Sequence, residues 1–254
     1  MVGLQAFLIK ESFWNIICKI LYLMEITSKQ NFRHSNQGFT MVELLVAMVV
    51  ALMAIGAIYS TFLNQHRSYQ IQEEIAEMQQ NLRAAMLYME REVRMAGCDP
   101  INTAHARIIK AEKTLIRFTE DVRGNTPGSD PDGDTNDPNE DITYSLKGRH
   151  LMKNTGGGNQ MVAQNIDAID FVYLDGSSPP NVLNPGGSDV AAAKINQIRS
   201  VEITIVARTS DPLLLSPNGT VYLNQRGTEI LAPQNDNVSR RRLTTWIKCR
   251  NLGI

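Results

Sequence analysis

The sequence predicts an α+β protein in which one long N-terminal helix packs on an antiparallel β-sheet domain. Three observations predict it. An apolar run over 39–63 passes without proline into an amphipathic stretch that ends near residue 97. Short β-branched and alternating segments fill the remainder. No helical pattern separates those segments, so there is no βαβ alternation and the sheet is antiparallel.

Residues 1–38 read as a leader and are set apart from the fold. Their apolar run, Phe13 to Leu23, is broken by Lys19, and about eleven residues fall short of the roughly 20 needed to span a bilayer. Met24 offers a second start, which would leave a short polar leader carrying Lys29, Arg33 and His34.

Residues 39–63 contain a single charge, Glu43, and are long enough to cross a membrane. Lys29 and Arg33 precede the run, which places the leader in the cytoplasm and the rest of the chain outside. A secretory signal with Ala54-Ile55-Gly56 as its cleavage site is the competing reading. The run is longer than an h-region of about 7–15 residues, and a carboxylate near its start opposes that reading too.

Over 64–97 the pattern becomes amphipathic. Ile71, Ile75, Met78, Leu82, Ala85, Met89, Val93 and Ala96 recur at steps of three and four, with Met86 widening the stripe. Glu73, Glu74, Glu77, Gln80, Arg83, Arg91 and Arg94 lie elsewhere around the helix, and Glu90 with Arg94 forms a favourable pair one turn apart. Gly97 and Asp99-Pro100 supply the stop. A continuous helix over 39–96 would measure about 85 Å.

The β-rich remainder, 98–254, has strand candidates at Ala106–Ala111, Leu115–Thr119, Ile142–Leu146, Gln160–Ala163, Ala168–Leu174, Ser200–Ala207 and Leu243–Cys249. In 200–207, Val201, Ile203 and Ile205 alternate with Glu202, Thr204 and Val206, the pattern of a half-buried strand. Turn-rich stretches at Gly124–Glu140, Thr155–Gly158 and Gly176–Gly187 separate the candidates.

Composition excludes several functions. A net charge of −1 and 6% aromatic residues argue against nucleic-acid binding, which favours basic and stacking surfaces. The Arg240-Arg241-Arg242 run reads as a solvated turn before a strand. Cys18, Cys98 and Cys249 and the scattered His34, His66, His105 and His150 have no zinc spacing. Gly156-Gly157-Gly158 lacks phosphate-loop spacing and reads as a hairpin turn. There is no GxSxG, no HExxH and no convergent carboxylate pair, so the chain is not expected to be an enzyme.

The string Gly38-Phe39-Thr40-Met41-Val42-Glu43-Leu44-Leu45 resembles the type IV prepilin cleavage and methylation signal: a glycine, an aromatic residue, then a glutamate fifth in an apolar helix. Three further segments are similar to the PilW family of minor pilins: QEEIAEMQQNLRAAMLYMEREVRMAGCDP, IRSVEITIVART and RRRLTTWIKCRNL.

The resemblance implies a pilin-like fold and cleavage between Gly38 and Phe39 by a prepilin peptidase, which also methylates the Phe39 amine. It further implies residence in the bacterial inner membrane with a periplasmic domain, then assembly with major and other minor pilins in a cell-surface pilus, near its tip and a candidate tip adhesin. Glu43 is the residue that assembly would use. A carboxylate in hydrocarbon costs on the order of 3 kcal/mol, and the new ammonium on Phe39 is its expected partner. Val46, Ala47, Val49, Val50, Ala51, Ala54, Gly56 and Ala57 would allow close helix approach. A minor pseudopilin of type II secretion shares these features. A calcium-dependent adhesive tip module is the alternative from another class.

Asp130, Asp132, Asp134, Asn136 and Asp141 are similar to a calcium loop. Thr135 departs from the expected glycine, and Asp141 from the expected terminal glutamate. With the leader gone, Cys98 and Cys249 remain. A disulfide between them would close a loop of about 150 residues, worth on the order of 5 kcal/mol in the chain-entropy estimate; two free thiols are the alternative.

Overall fold

The computed structural model describes residues 39–126 and 128–253. The expected leader, its apolar run, the start at Met24, Cys18, His34 and Gly38 lie outside the described residues. The chain divides into two units, Met1–Thr61 and Phe62–Ile254.

In the first unit, residues from Met41 onward are helical and exposed on every face. A helix that is apolar all round needs lipid or other protein about it. Among the described residues, the helix to which this stretch belongs is the one long and apolar enough to cross a membrane.

In the second unit the same helix, α1 (Met41–Met95), becomes one-sided. Met78, Leu82, Ala85, Met86, Met89 and Val93 are buried, as is Ala96 just past its end. Ile71 and Ile75, which begin the stripe in sequence, are only half-buried. The helix stops at Gly97, whose φ of +80° suits glycine. A Cβ there would stand 2.5 Å from Leu252 Cδ2, so this position also needs a bare backbone.

Among the described residues ten strands follow, all paired antiparallel. β1 (Ile108–Ala111), β2 (Leu115–Thr119), β3 (Asp141–Lys147), β4 (His150–Asn154) and β5 (Asn159–Ala163) form a five-stranded sheet in chain order. β6 (Ile166–Leu174), β7 (Ser200–Arg208) and β10 (Arg240–Lys248) form a three-stranded sheet with β7 at its centre. β8 (Tyr222–Leu223) and β9 (Glu229–Leu231) make a small hairpin. The single expected sheet is therefore divided. The segment around 243–249 becomes an edge strand on β7, with Ile247 opposite Val201.

The half-buried reading of β7 needs correction. Glu202, Thr204 and Val206 are buried, as are Val201, Ile203 and Ile205. The outer face is covered by the segment that carries β8 and β9: Arg226 donates to both Glu202 oxygens, at 3.1 and 2.6 Å, and Asn224 donates to Asp170 at 3.0 Å. Arg240 overturns the solvated-turn reading of the triple arginine. It opens β10, is 2% exposed in its side chain, and binds Asp167 at 2.6 Å and Asp236 at 2.6 and 2.7 Å. The Arg240 guanidinium holds the Asp236 carboxyl down at about 2.

The stripe of α1 shares one core with both larger sheets, including Phe118, Tyr144, Phe171, Ile203 and Ile247. A polar bridge pins the helix to the five-stranded sheet. Glu92 accepts hydrogen bonds from Tyr144 Oη and Lys153 Nζ, each at 2.6 Å. Burial first, and the Glu92 carboxylate next, push the Tyr144 phenol well above its ordinary range, so it remains a donor.

Lys153 and Glu92 side chains are 9% and 17% exposed. Removing one member of so buried a pair strands the other. Lys153→Met is expected to lower stability by about 3–5 kcal/mol, read as a shift in the denaturant midpoint of the detergent-solubilised protein. Adding Glu92→Gln should recover part of that loss.

Candidate functional site

Two groups of residues carry chemistry beyond packing: the start of α1 and the loop between β2 and β3.

At the start of α1, Thr40 sits one residue before the first helical position. Its carbonyl accepts the first intrahelical bond, from Leu44 N at 3.2 Å. Thr40 Oγ1 accepts from Glu43 N at 3.3 Å. Glu43 Oε2 in return accepts from Thr40 N at 3.1 Å and from Thr40 Oγ1 at 3.0 Å. This reciprocal arrangement is a capping box, and it satisfies amide donors that every helix start leaves open. The glutamate singled out by sequence therefore has a local partner, Thr40. The threonine–x–x–glutamate pattern was readable and is the signal that finds Thr40. Phe39 is 90% exposed, and Met41 through Leu63 are exposed as well.

The β2–β3 loop, 120–140, gathers carboxylates. One oxygen from each of Asp132, Asp134 and Asp137 lies within 4.8 Å of the others. Asp121 is fully buried; its Oδ2 accepts from Gly133 N at 3.1 Å, and its Oδ1 is buried without a partner. Glu140 is also fully buried; its Oε1 accepts from Val122 N and Arg123 N at 2.9 and 3.1 Å, and its Oε2 is unpartnered. Asp137 is 9% exposed, and its Oδ2 is buried and unpartnered. Burial pushes all three carboxyls up from their ordinary values. Gly133 makes the turn possible: its φ is +89°, and a Cβ would sit 2.1 Å from Thr103 Oγ1.

This arrangement redraws the acidic motif. Asp132 and Asp134 stand in the cluster as expected. Asp141 does not: it begins β3 and takes Arg117 Nε at 2.9 Å in a two-pronged ion pair. Asn136 is exposed, and its backbone N–H donates to Asp134 Oδ1 at 2.8 Å. Asp130 is exposed and outside the cluster. Asp137 is the member that spacing did not identify, and Asp121 and Glu140 are buried carboxylates of the same loop outside that group. Asp121 precedes the motif by many residues, and only the fold brings it to Gly133.

Cys98 and Cys249 are both free thiols, Cys249 buried and pushed up to about 12 by that burial. The join expected of a disulfide is made here by packing. Leu252 abuts Gly97, and Asn251 Nδ2 donates to Met95 O at 3.2 Å. The triple glycine falls between β4 and β5, as a turn.

The capping box sets a quantitative expectation. Thr40→Ala should cost the first turn about 1 kcal/mol, seen as faster amide exchange at Val42 and Glu43 in micelles. Thr40→Ser should retain protection.

Comparison with known proteins agrees with the first of these two groups. A type IV-like pilin from Thermus thermophilus is 13% identical over 68% of this chain and 97% of that one, with a TM-score of 0.43, a likeness too distant to speak to function. No curated protein matches the chain. Residues 33–59, which hold Gly38, Phe39, Thr40 and Glu43, match the family described as the prokaryotic N-terminal methylation motif.

Proposed function

We propose that this chain is a prepilin, cut and methylated at its N-terminus and then assembled into a type IV pilus, and that within this class it is a PilW-like minor pilin acting near the filament tip. One observation carries the reading: the methylation motif over 33–59 leads into a helix whose apolar side chains are exposed all round. Such a surface is unstable in water and must be covered by lipid or by like helices.

The proposed sequence of events follows from the residues. The basic leader stays cytoplasmic while 39–63 rests in the inner membrane. Gly38, without a side chain, admits the peptidase to the bond before Phe39. Cleavage leaves an ammonium on Phe39, and methylation keeps its charge. That ammonium becomes a partner for Glu43 on its own or a neighbouring helix. In surroundings of low polarity, such a pair fixes register, and losing one member costs about 3–5 kcal/mol. Small residues such as Ala47, Ala51, Ala54 and Gly56 let helices approach as they exchange lipid for one another. Residues 64–97 and 98–254 then form the part exposed in the periplasm and on the filament. Prepilin peptidase and the other pilins are the partners this requires.

The test is the mass of the mature N-terminus, with and without an active prepilin peptidase. The expected product starts at an N-methylated Phe39, and only when the enzyme is present. An intact leader alongside active peptidase overturns the proposal. In the same cells, Glu43→Ala should be cleaved normally yet be lost from sheared filaments. Recovery of the variant at the parental level would remove Glu43 from the assembly step.

A further inference from the structure

The carboxylates of the β2–β3 loop have no role in the reading above. Asp132, Asp134 and Asp137 each bring an oxygen to within 4.8 Å of the others. Two oxygens bound to one calcium ion can stand at most about 5 Å apart, since each bond is about 2.3–2.6 Å. The cluster therefore already has the spread of a coordination shell.

Proximity of acidic groups is not by itself a site. The second observation is a set of buried, unpartnered oxygens in the same loop. Asp137 Oδ2, Asp121 Oδ1 and Glu140 Oε2 are all buried without any hydrogen-bond partner. Asp121 and Glu140 are fully buried. Their other oxygens are fastened to backbone: Asp121 to Gly133 N, between Asp132 and Asp134, and Glu140 to Val122 N and Arg123 N. Each carboxylate is thus held in place with one oxygen committed and one spare. Burying a charged oxygen with nothing to bind is strongly unfavourable. Four oxygens of the 120–140 loop are in that state, Glu120 Oε2 among them, and Asp137 belongs to the cluster itself, so a cation bound there would offset its buried charge.

We propose that this loop is a calcium site, with Asp132, Asp134 and Asp137 as ligands and with Asp121, fastened to Gly133 N between two of them, bracing the turn. The donors are all oxygens, mostly anionic, which selects a hard cation over zinc or copper. They come from an irregular loop and not from a rigid octahedral cage, which favours calcium over magnesium. The ion would tie the loop to the exit of α1. Asp121 N donates to Cys98 O at 2.7 Å, and Thr103 Oγ1 donates to Gly133 O at 3.2 Å. Filling the site would order the segment that leaves the helix, and this does not depend on whether the chain enters a filament.

The experiment uses the full chain in detergent micelles, stripped with a chelator. Calcium chloride alone is titrated by calorimetry, and thermal melting is followed with and without it. One saturable site and a rise in melting temperature are expected, with a weaker response to magnesium. Asp137→Asn should weaken calcium binding by about tenfold or more and abolish the rise in melting temperature. Its calcium-free form should melt no lower than the calcium-free parent, because a buried charge has been removed. Asp141→Asn breaks the Arg117 pair but should leave the calcium response in place. Absence of any calcium heat or melting shift in the parent overturns the site. Loss of binding in Asp141→Asn with retention in Asp137→Asn overturns this choice of ligands.

Discussion

The folded domain depends on covering one stripe of one helix. From Met78 to Ala96, α1 lends its apolar side to a core that both larger sheets share. Neither sheet could persist without such a partner, because a few strands with one uncovered apolar face are marginal in water. The helix has the converse need, since its stripe would otherwise be wet. Glu92 adds direction to this mutual burial. By meeting Tyr144 and Lys153 together, it selects one rotation of the helix over the others that grease alone would allow.

Carboxylates recur along the chain and are settled in different ways. Glu43 finds its donors within its own first turn. Glu92 and Glu202 reach across to a cation on another element. Asp167 sits among Arg149, Arg208 and Arg240. Against that background, the spare oxygens of Glu120, Asp121, Asp137, Glu140 and Asp170 stand out.

Much of this was legible in the residues. The three-and-four spacing of the helix stripe survives intact from Met78 on, because it reports local geometry alone. β2 matches its expected limits, and β3, β5, β6 and β7 lie within a few residues of theirs. What escaped depends on contacts between distant segments. β4, His150–Asn154, was hidden because one of its inward positions is Lys153, a residue that pattern reading assigns to solvent. β7 looked half-exposed because nothing local announces that Arg226 will fold over Glu202. The acidic cluster was only partly legible in the sequence. Asp132 and Asp134 follow a regular spacing, whereas Asp137 joins them off that spacing through the path of the loop. Arg240 read as surface because its partners, Asp167 and Asp236, are not its immediate neighbours.

The place of the acidic loop in the sheet order has a further consequence. β2 and β3 are neighbours both along the chain and across the sheet, so the loop is a detour at a corner and threads through nothing. Lengthening such a detour is cheap in entropy, about 0.6 kcal/mol for each doubling. The strands on either side keep their register whatever the detour contains. Descendants of this chain are therefore free to rewrite, enlarge or discard this corner while the scaffold beneath it stays the same.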